Sequence, residues 1–198
     1  MSWKRTGLFF KADRAQLPVV SNVDGEFFVT FSSRDKQARS VGNMLRLNFE
    51  VETPVWSEFE SKIIESGKPG STDSSGCMPM QIINRKLYYI GWTLRKDVPY
   101  FNYCSVAEMV DGKINKLGPI LAPDLIDGGF SGTLFVSKNI NLNCYLGYYL
   151  SADKWIPDEL GVLQPSYDIK IAKSYDGLRW EKLGLVAIAR KGPEEGIS

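Results

Sequence analysis

The sequence predicts an all-β protein assembled from repeated four-stranded units, and three observations carry that reading. The first is the length and make-up of the apolar runs. Leu8-Phe9-Phe10, Phe27-Phe28-Val29-Thr30-Phe31, Leu87-Tyr88-Tyr89-Ile90 and Cys144-Tyr145-Leu146-Gly147-Tyr148-Tyr149-Leu150 are 3 to 7 residues long and rich in aromatic and β-branched side chains. Turn formers flank them, in a chain with 18 Gly, 10 Pro and 12% aromatics. Runs of that length and composition favour strands. The second observation is an internal repeat. Gly76 to Trp92 and Gly129 to Tyr149 share one plan: a small residue, an apolar strand, a polar turn, then a strand of the Leu/Tyr-Tyr type. Gly76 and Gly129 lie 53 positions apart. Leu17 to Phe31 fits the same plan. The third is the turn Ser174-Tyr175-Asp176-Gly177-Leu178-Arg179-Trp180, in which Asp-Gly closes a tight hairpin and the Trp covers the next strand. Asp176 and Trp180 are structural on this reading. A weaker copy of the turn sits at Val110-Asp111-Gly112-Lys113.

Four-stranded units of this length describe a β-propeller. A β-sandwich with coincidentally similar hairpins is the competing architecture. The units fall at roughly 12–68, 69–122 and 123–190. Their third strands are Arg39 to Asn48, Tyr103 to Met109 and Tyr167 to Lys173. Trp56 to Ser66 is the one segment that invites a helix, with apolar residues at 56, 59, 63 and 64. Trp3 to Phe10 suits an added strand that closes a ring. Three units leave sheet edges bare, which is a liability. Further blades beyond this chain, or a second copy of it, would cover them.

Composition removes several kinds of chemistry. The chain has 198 residues, about one domain at roughly 150 residues each. Its 24 Lys+Arg and 23 Asp+Glu leave a net charge of +1, which argues against nucleic acid or an anionic membrane as the main partner. It contains no histidine. That excludes Ser-His-Asp and Cys-His catalysis, HExxH sites and Cys2His2 fingers. Cys77, Cys104 and Cys144 form no CxxC pair, so they read as buried free thiols, and no metal or other cofactor is expected. No apolar stretch approaches about 18 residues, and the N-terminus lacks the apolar core of a signal peptide; a cytoplasmic location is expected.

An ordered series of segments carries a resemblance. It runs through Ala15-Gln16-Leu17-Pro18, Phe31-Ser32-Ser33-Arg34-Asp35-Lys36-Gln37, Asp73-Ser74-Ser75-Gly76-Cys77-Met78-Pro79, Leu87 to Thr93, Val98-Pro99-Tyr100-Phe101-Asn102, Gly118-Pro119-Ile120-Leu121 and Tyr167 to Gly177. In these the chain resembles five-bladed propeller glycosidases of the arabinanase, invertase and levansucrase type. It is most similar to a bacterial subgroup found with surface-polysaccharide biosynthesis. The resemblance implies a funnel on the propeller axis where carboxylates act on a glycan or oligosaccharide, as a glycosidase or transglycosidase. A non-catalytic carbohydrate-binding propeller is the alternative. Glycoside cleavage needs one carboxyl to protonate the leaving oxygen and a second to attack or to activate water, so the lack of histidine is no obstacle.

The carboxylates at unit starts are the catalytic candidates: Asp73, Asp127 with Asp124 as competitor, Glu195 beside Glu194, and Asp13. Turn capping by Asp73 or Asp127 is the competing role. Substrate-binding candidates are Arg14, Gln16, Arg34, Asp35, Trp92 and Tyr100. Related sequences tend to carry His where Arg14 stands; an Arg there suits a carboxylated or phosphorylated sugar. Asp35 with Arg34 reads equally well as a structural ion pair. Trp92, Tyr100 and Trp155 can stack on sugar faces or pack the blades.

Overall fold

The fold is a β-propeller segment of three blades, seen in a computed structural model that describes residues 10–48, 55–125, 127 and 130–188. The first blade holds β1 (Gln16–Val23), β2 (Glu26–Arg34), β3 (Ser40–Asn48) and β4 (Val55–Ile64). The second holds β5 (Gly76–Ile83), β6 (Lys86–Thr93), β7 (Phe101–Val110) and β8 (Lys113–Leu121). The third holds β9 (Phe130–Asn139), β10 (Cys144–Pro157), β11 (Leu163–Ser174) and β12 (Glu181–Ile188). Within each blade consecutive strands pair antiparallel. A single parallel bridge, Ser40 to Gly76, joins the first blade to the second. Among the described residues no strand pairs the first blade with the third.

Local sequence sets the tightest hairpins. Asp24-Gly25, Asn84-Arg85 and Asp111-Gly112 each connect two paired strands with both residues at positive φ. That conformation matches the right-handed twist of the flanking strands, and Asn, Asp and Gly tolerate it best. The Ser174–Trp180 turn is fully wired. The Asp176 carboxylate accepts from the backbone N–H groups of Leu178 and Arg179 at 2.8 Å each and from the Ser174 hydroxyl at 3.1 Å. Gly177 sits at φ 74°, and its carbonyl accepts from the Trp180 indole at 3.2 Å. The Tyr88 phenol of the second blade donates to the same carbonyl at 3.1 Å.

Trp56 to Ser66 forms no helix. Its residues up to Ile64 lie in β4, where Phe59 stands opposite Leu45 and Trp56 opposite Leu47. Helical spacing in so short a segment yields to the open edge of β3, which supplies backbone partners. The added strand read over Trp3 to Phe10 lies outside the described residues except for Phe10. That ring packs 5.6 Å from Phe31, 5.6 Å from Trp56 and 5.5 Å from Phe59.

Two apolar clusters weld neighbouring blades. Met44, Ile64, Cys77, Ile82, Leu87, Tyr89 and Ala107 fill the space between the first and second. Tyr88, Cys104, Val106, Leu134, Val136, Tyr149 and Ala172 fill that between the second and third. Cys77, Cys104 and Cys144 are free and buried, with burial raising the Cys77 thiol and pushing Cys104 up to about 12. No helix among the described residues is long and apolar enough to cross a membrane.

Candidate functional site

The three blades converge on a pocket of about 410 Å³ beside the starts of β1, β5 and β9, a size that suits a small ligand. Kinks in the innermost strands shape it. Leu17 sits at φ 52° inside a register shift between Gln16 and Val19, and Thr133 at φ 41°; both face the pocket. The bulge at Leu17 re-aims side chains at the sheet rim.

One wall joins the first blade to the second. Arg34, at the end of β2, lies over the Trp92 ring with its guanidinium 5.2 Å from the centroid. Both side chains donate to the Ser40 hydroxyl, Arg34 Nη1 at 2.8 Å and Trp92 Nε1 at 3.0 Å. The opposite wall is aromatic. Tyr100 and Tyr167 meet through their hydroxyls at 3.3 Å, and Phe130 packs edge-on against both at 6.1 and 5.3 Å. Burial, and then the hydrogen bond with Tyr100, raise the Tyr167 phenol, which stays neutral. Trp155 stands behind this wall, 5.4 Å from Tyr100, and does not line the pocket. Gln16 and Asn102 add amides.

The structure thus brings Gln16, Arg34, Trp92 and Tyr100 to one pocket, and it does not bring the candidate carboxylates there. Asp73 is 7% exposed inside the second blade. It accepts from Lys116 Nζ at 2.6 Å, Ser71 Oγ at 2.7 Å and the Cys77 thiol at 3.4 Å. Burial by itself would raise its pKa; the Lys116 ammonium and the Ser71 hydroxyl outweigh burial and hold it below its ordinary 3.8. Asp127 is fully buried in the third blade. It accepts from Tyr149 at 3.1 Å, Ser151 at 2.8 Å and Lys170 at 3.3 Å, and it is paired with Lys182. Asp124 also pairs with Lys182, at 3.0 Å.

Asp35 caps its own hairpin. It accepts from the backbone N–H of Gln37 and of Arg39 and pairs with the Arg39 side chain at 2.8 Å, not with Arg34. Asp13 and Arg14 are exposed and pair with each other at 3.3 Å. Glu194 and Glu195 lie outside the described residues. Among the described residues no group of three or more acidic or thiol side chains is arranged to hold a metal ion.

Sequence reasoning missed Asn102, Phe130 and Tyr167 as pocket residues. Asn102 closes the segment Val98 to Asn102 and Tyr167 opens Tyr167 to Gly177, so both belong to segments that stand out in the sequence. Their place on the pocket follows from β7 and β11 entering their blades on the side where β2 and β6 end.

Comparison with known proteins gives the fold its relatives. A glycoside hydrolase superposes with a TM-score of 0.62 at 13% identity, covering 91% of this chain and 58% of that one. Sucrose-6-phosphate hydrolase from Lactobacillus gasseri gives 0.59 at 17% identity, covering 87% of this chain and 35% of that one. A thermostable family-43 glycoside hydrolase gives 0.52 at 18% identity, covering 85% and 53%. This chain therefore spans between 35% and 58% of the length of these structures. An uncharacterized protein of Mycobacterium tuberculosis strain H37Rv, Rv1502, is 28% identical over 214 residues, covering all of this chain and 70% of that protein. No protein-family model matches the chain. The chain has the β-propeller fold seen in glycoside hydrolases.

Proposed function

We propose that this chain binds carbohydrate in the pocket between its three blades. The observation that carries the reading is the pairing of walls: Trp92 under Arg34 on one side, Tyr100, Phe130 and Tyr167 on the other, with the amides of Gln16 and Asn102 between. Aromatic rings lining a pocket receive the apolar C–H groups of a sugar, and a few placed polar groups fix its orientation. The likeness of the fold to glycoside hydrolases supports the same ligand class.

Titration with oligosaccharides, followed by tryptophan fluorescence or calorimetry, tests this. Binding is expected, and Trp92→Ala is expected to weaken it at least tenfold. Saturable binding that Trp92→Ala and Tyr100→Ala leave unchanged would place the ligand elsewhere.

The fold likeness also favours a second reading, glycoside hydrolysis. Asp73 is a poor general acid for it, because Lys116 and Ser71 keep its carboxylate ionised. Asp127 is sealed away among Tyr149, Ser151, Lys170 and Lys182. On this reading Asp13 and Glu195 supply the acid and its partner. Reducing-sugar release that survives Asp73→Asn and disappears in Asp13→Asn or Glu195→Gln supports it. Absence of turnover with intact binding leaves the chain a carbohydrate-binding propeller.

A further inference from the structure

The pocket carries an uncompensated positive charge. Among the described residues that line it, Arg34 is the only charged one. Arg34 makes no salt bridge to a described residue. Its Nη1 is bound to Ser40 Oγ at 2.8 Å and to the Ala38 carbonyl at 3.4 Å; among the described residues Nη2 and Nε have no hydrogen-bond partner.

The nearby acids are committed elsewhere. Asp35, its neighbour in sequence, is held by Arg39 and two backbone N–H groups, and Asp13 by Arg14. The charge that acts most directly on Arg34 is a second cation. Burial first, and then repulsion by Arg14, lower its pKa. A guanidinium half-buried on an indole, with no carboxylate paired to it among the described residues, is poised for an anion.

We infer that the pocket selects an acidic sugar, whose carboxylate or phosphate is bound by Arg34. This rests on the carbohydrate-binding reading and names its ligand class. Carboxylate and phosphate present the same paired oxygens to a guanidinium fork, so either substituent satisfies the geometry.

The test is binding of the full chain to a glycan set that pairs uronic-acid oligosaccharides with neutral ones of the same ring configuration, plus hexose 6-phosphates. Acidic members are expected to bind at least tenfold tighter than their neutral counterparts. Raising NaCl from 50 to 500 mM is expected to erase most of that preference. Arg34→Gln is expected to abolish it. Arg34→Lys, which keeps the charge and loses the fork, is expected to retain a part, and it serves where Arg34→Gln fails to fold by thermal melting. Stronger binding of uronic acids assigns a carboxylate, and stronger binding of hexose phosphates a phosphate. Equal binding of acidic and neutral sugars, or a preference that survives both Arg34 variants, overturns the inference and leaves the pocket reading standing. Absence of binding to every glycan overturns both.

Discussion

The second and third blades solve one packing problem with different strength, and the first solves it without charge. Ala107 pairs with Lys116 in the second blade and Ala172 with Lys182 in the third, so the two lysines occupy the same place on the outer strand. Each reaches inward to the aspartate that precedes its blade, Asp73 or Asp127. In the first blade Leu45 pairs with Phe59 at that place. Phe59 meets Phe10 and Phe31, and Phe31 stands where the other blades carry Tyr89 and Tyr149. A cluster of rings thus substitutes for an ion pair.

The two ionic blades also differ from each other. Two positions along the third strand, the second blade has Ser105 and the third has Lys170, which gives Asp127 a second cation. On the second strand Gly91 stands where the third blade has Ser151. A side chain at Gly91 would begin 3.0 Å from the Asp73 Cβ, whereas Ser151 donates to Asp127 at 2.8 Å. Lys116 remains 31% exposed, and Lys182 only 8%. The lesson is that one repeat position tolerates a hydrophobic, a singly paired or a doubly paired solution. The deeper the charge, the more partners it must gather.

Substitutions rank these solutions. Asp127→Asn removes the buried charge that Lys170 and Lys182 share and leaves Lys182 to Asp124 and the Ala122 carbonyl, and urea unfolding should show a loss of about 3–5 kcal/mol. A loss below that of the matching change in the second blade would break the ranking. Asp73→Asn should cost less, about 1.5–3 kcal/mol, because Lys116 can turn to water. The same variant sharpens the comparison through pH. The folded pKa of Asp73 lies below its ordinary 3.8, so its stabilisation is fully present above that value and drains away as pH falls through the lower one. Melting temperature should therefore drop in acid for the parent, and Asp73→Asn should flatten that part of its drop. Tyr149→Phe has the smallest effect, about 1 kcal/mol, since Ser151 and the two lysines still serve Asp127. A loss as large as that from Asp127→Asn would make the phenol, not the lysines, the centre of the network.

Legibility follows sequence distance. The hairpins at Asp24-Gly25 and Asp111-Gly112 and the Asp176 turn are readable because their chemistry is complete within a few residues. The all-β propeller is readable because short aromatic runs recur in one order. Strand β4 is ambiguous, since only β3 decides it. The surroundings of Asp73 and Asp127 are hidden, because their lysine partners lie 43 and 55 positions downstream. Asp73 before its strand looks the same in sequence whether it faces an open funnel or a lysine. Asn102 is hidden likewise, since its burial depends on the neighbouring blade.

The bond from Tyr88 to the Gly177 carbonyl gives the last hairpin an examiner on another blade. A one-residue slip between β11 and β12 would carry that carbonyl away and leave a buried phenol unmet. The second blade thus checks the alignment of the third as it forms, and assembly is expected to proceed in the order of synthesis. In pulse-labelling hydrogen exchange the amides of β6 should gain protection before those of β12, and Tyr88→Phe should narrow the interval between them.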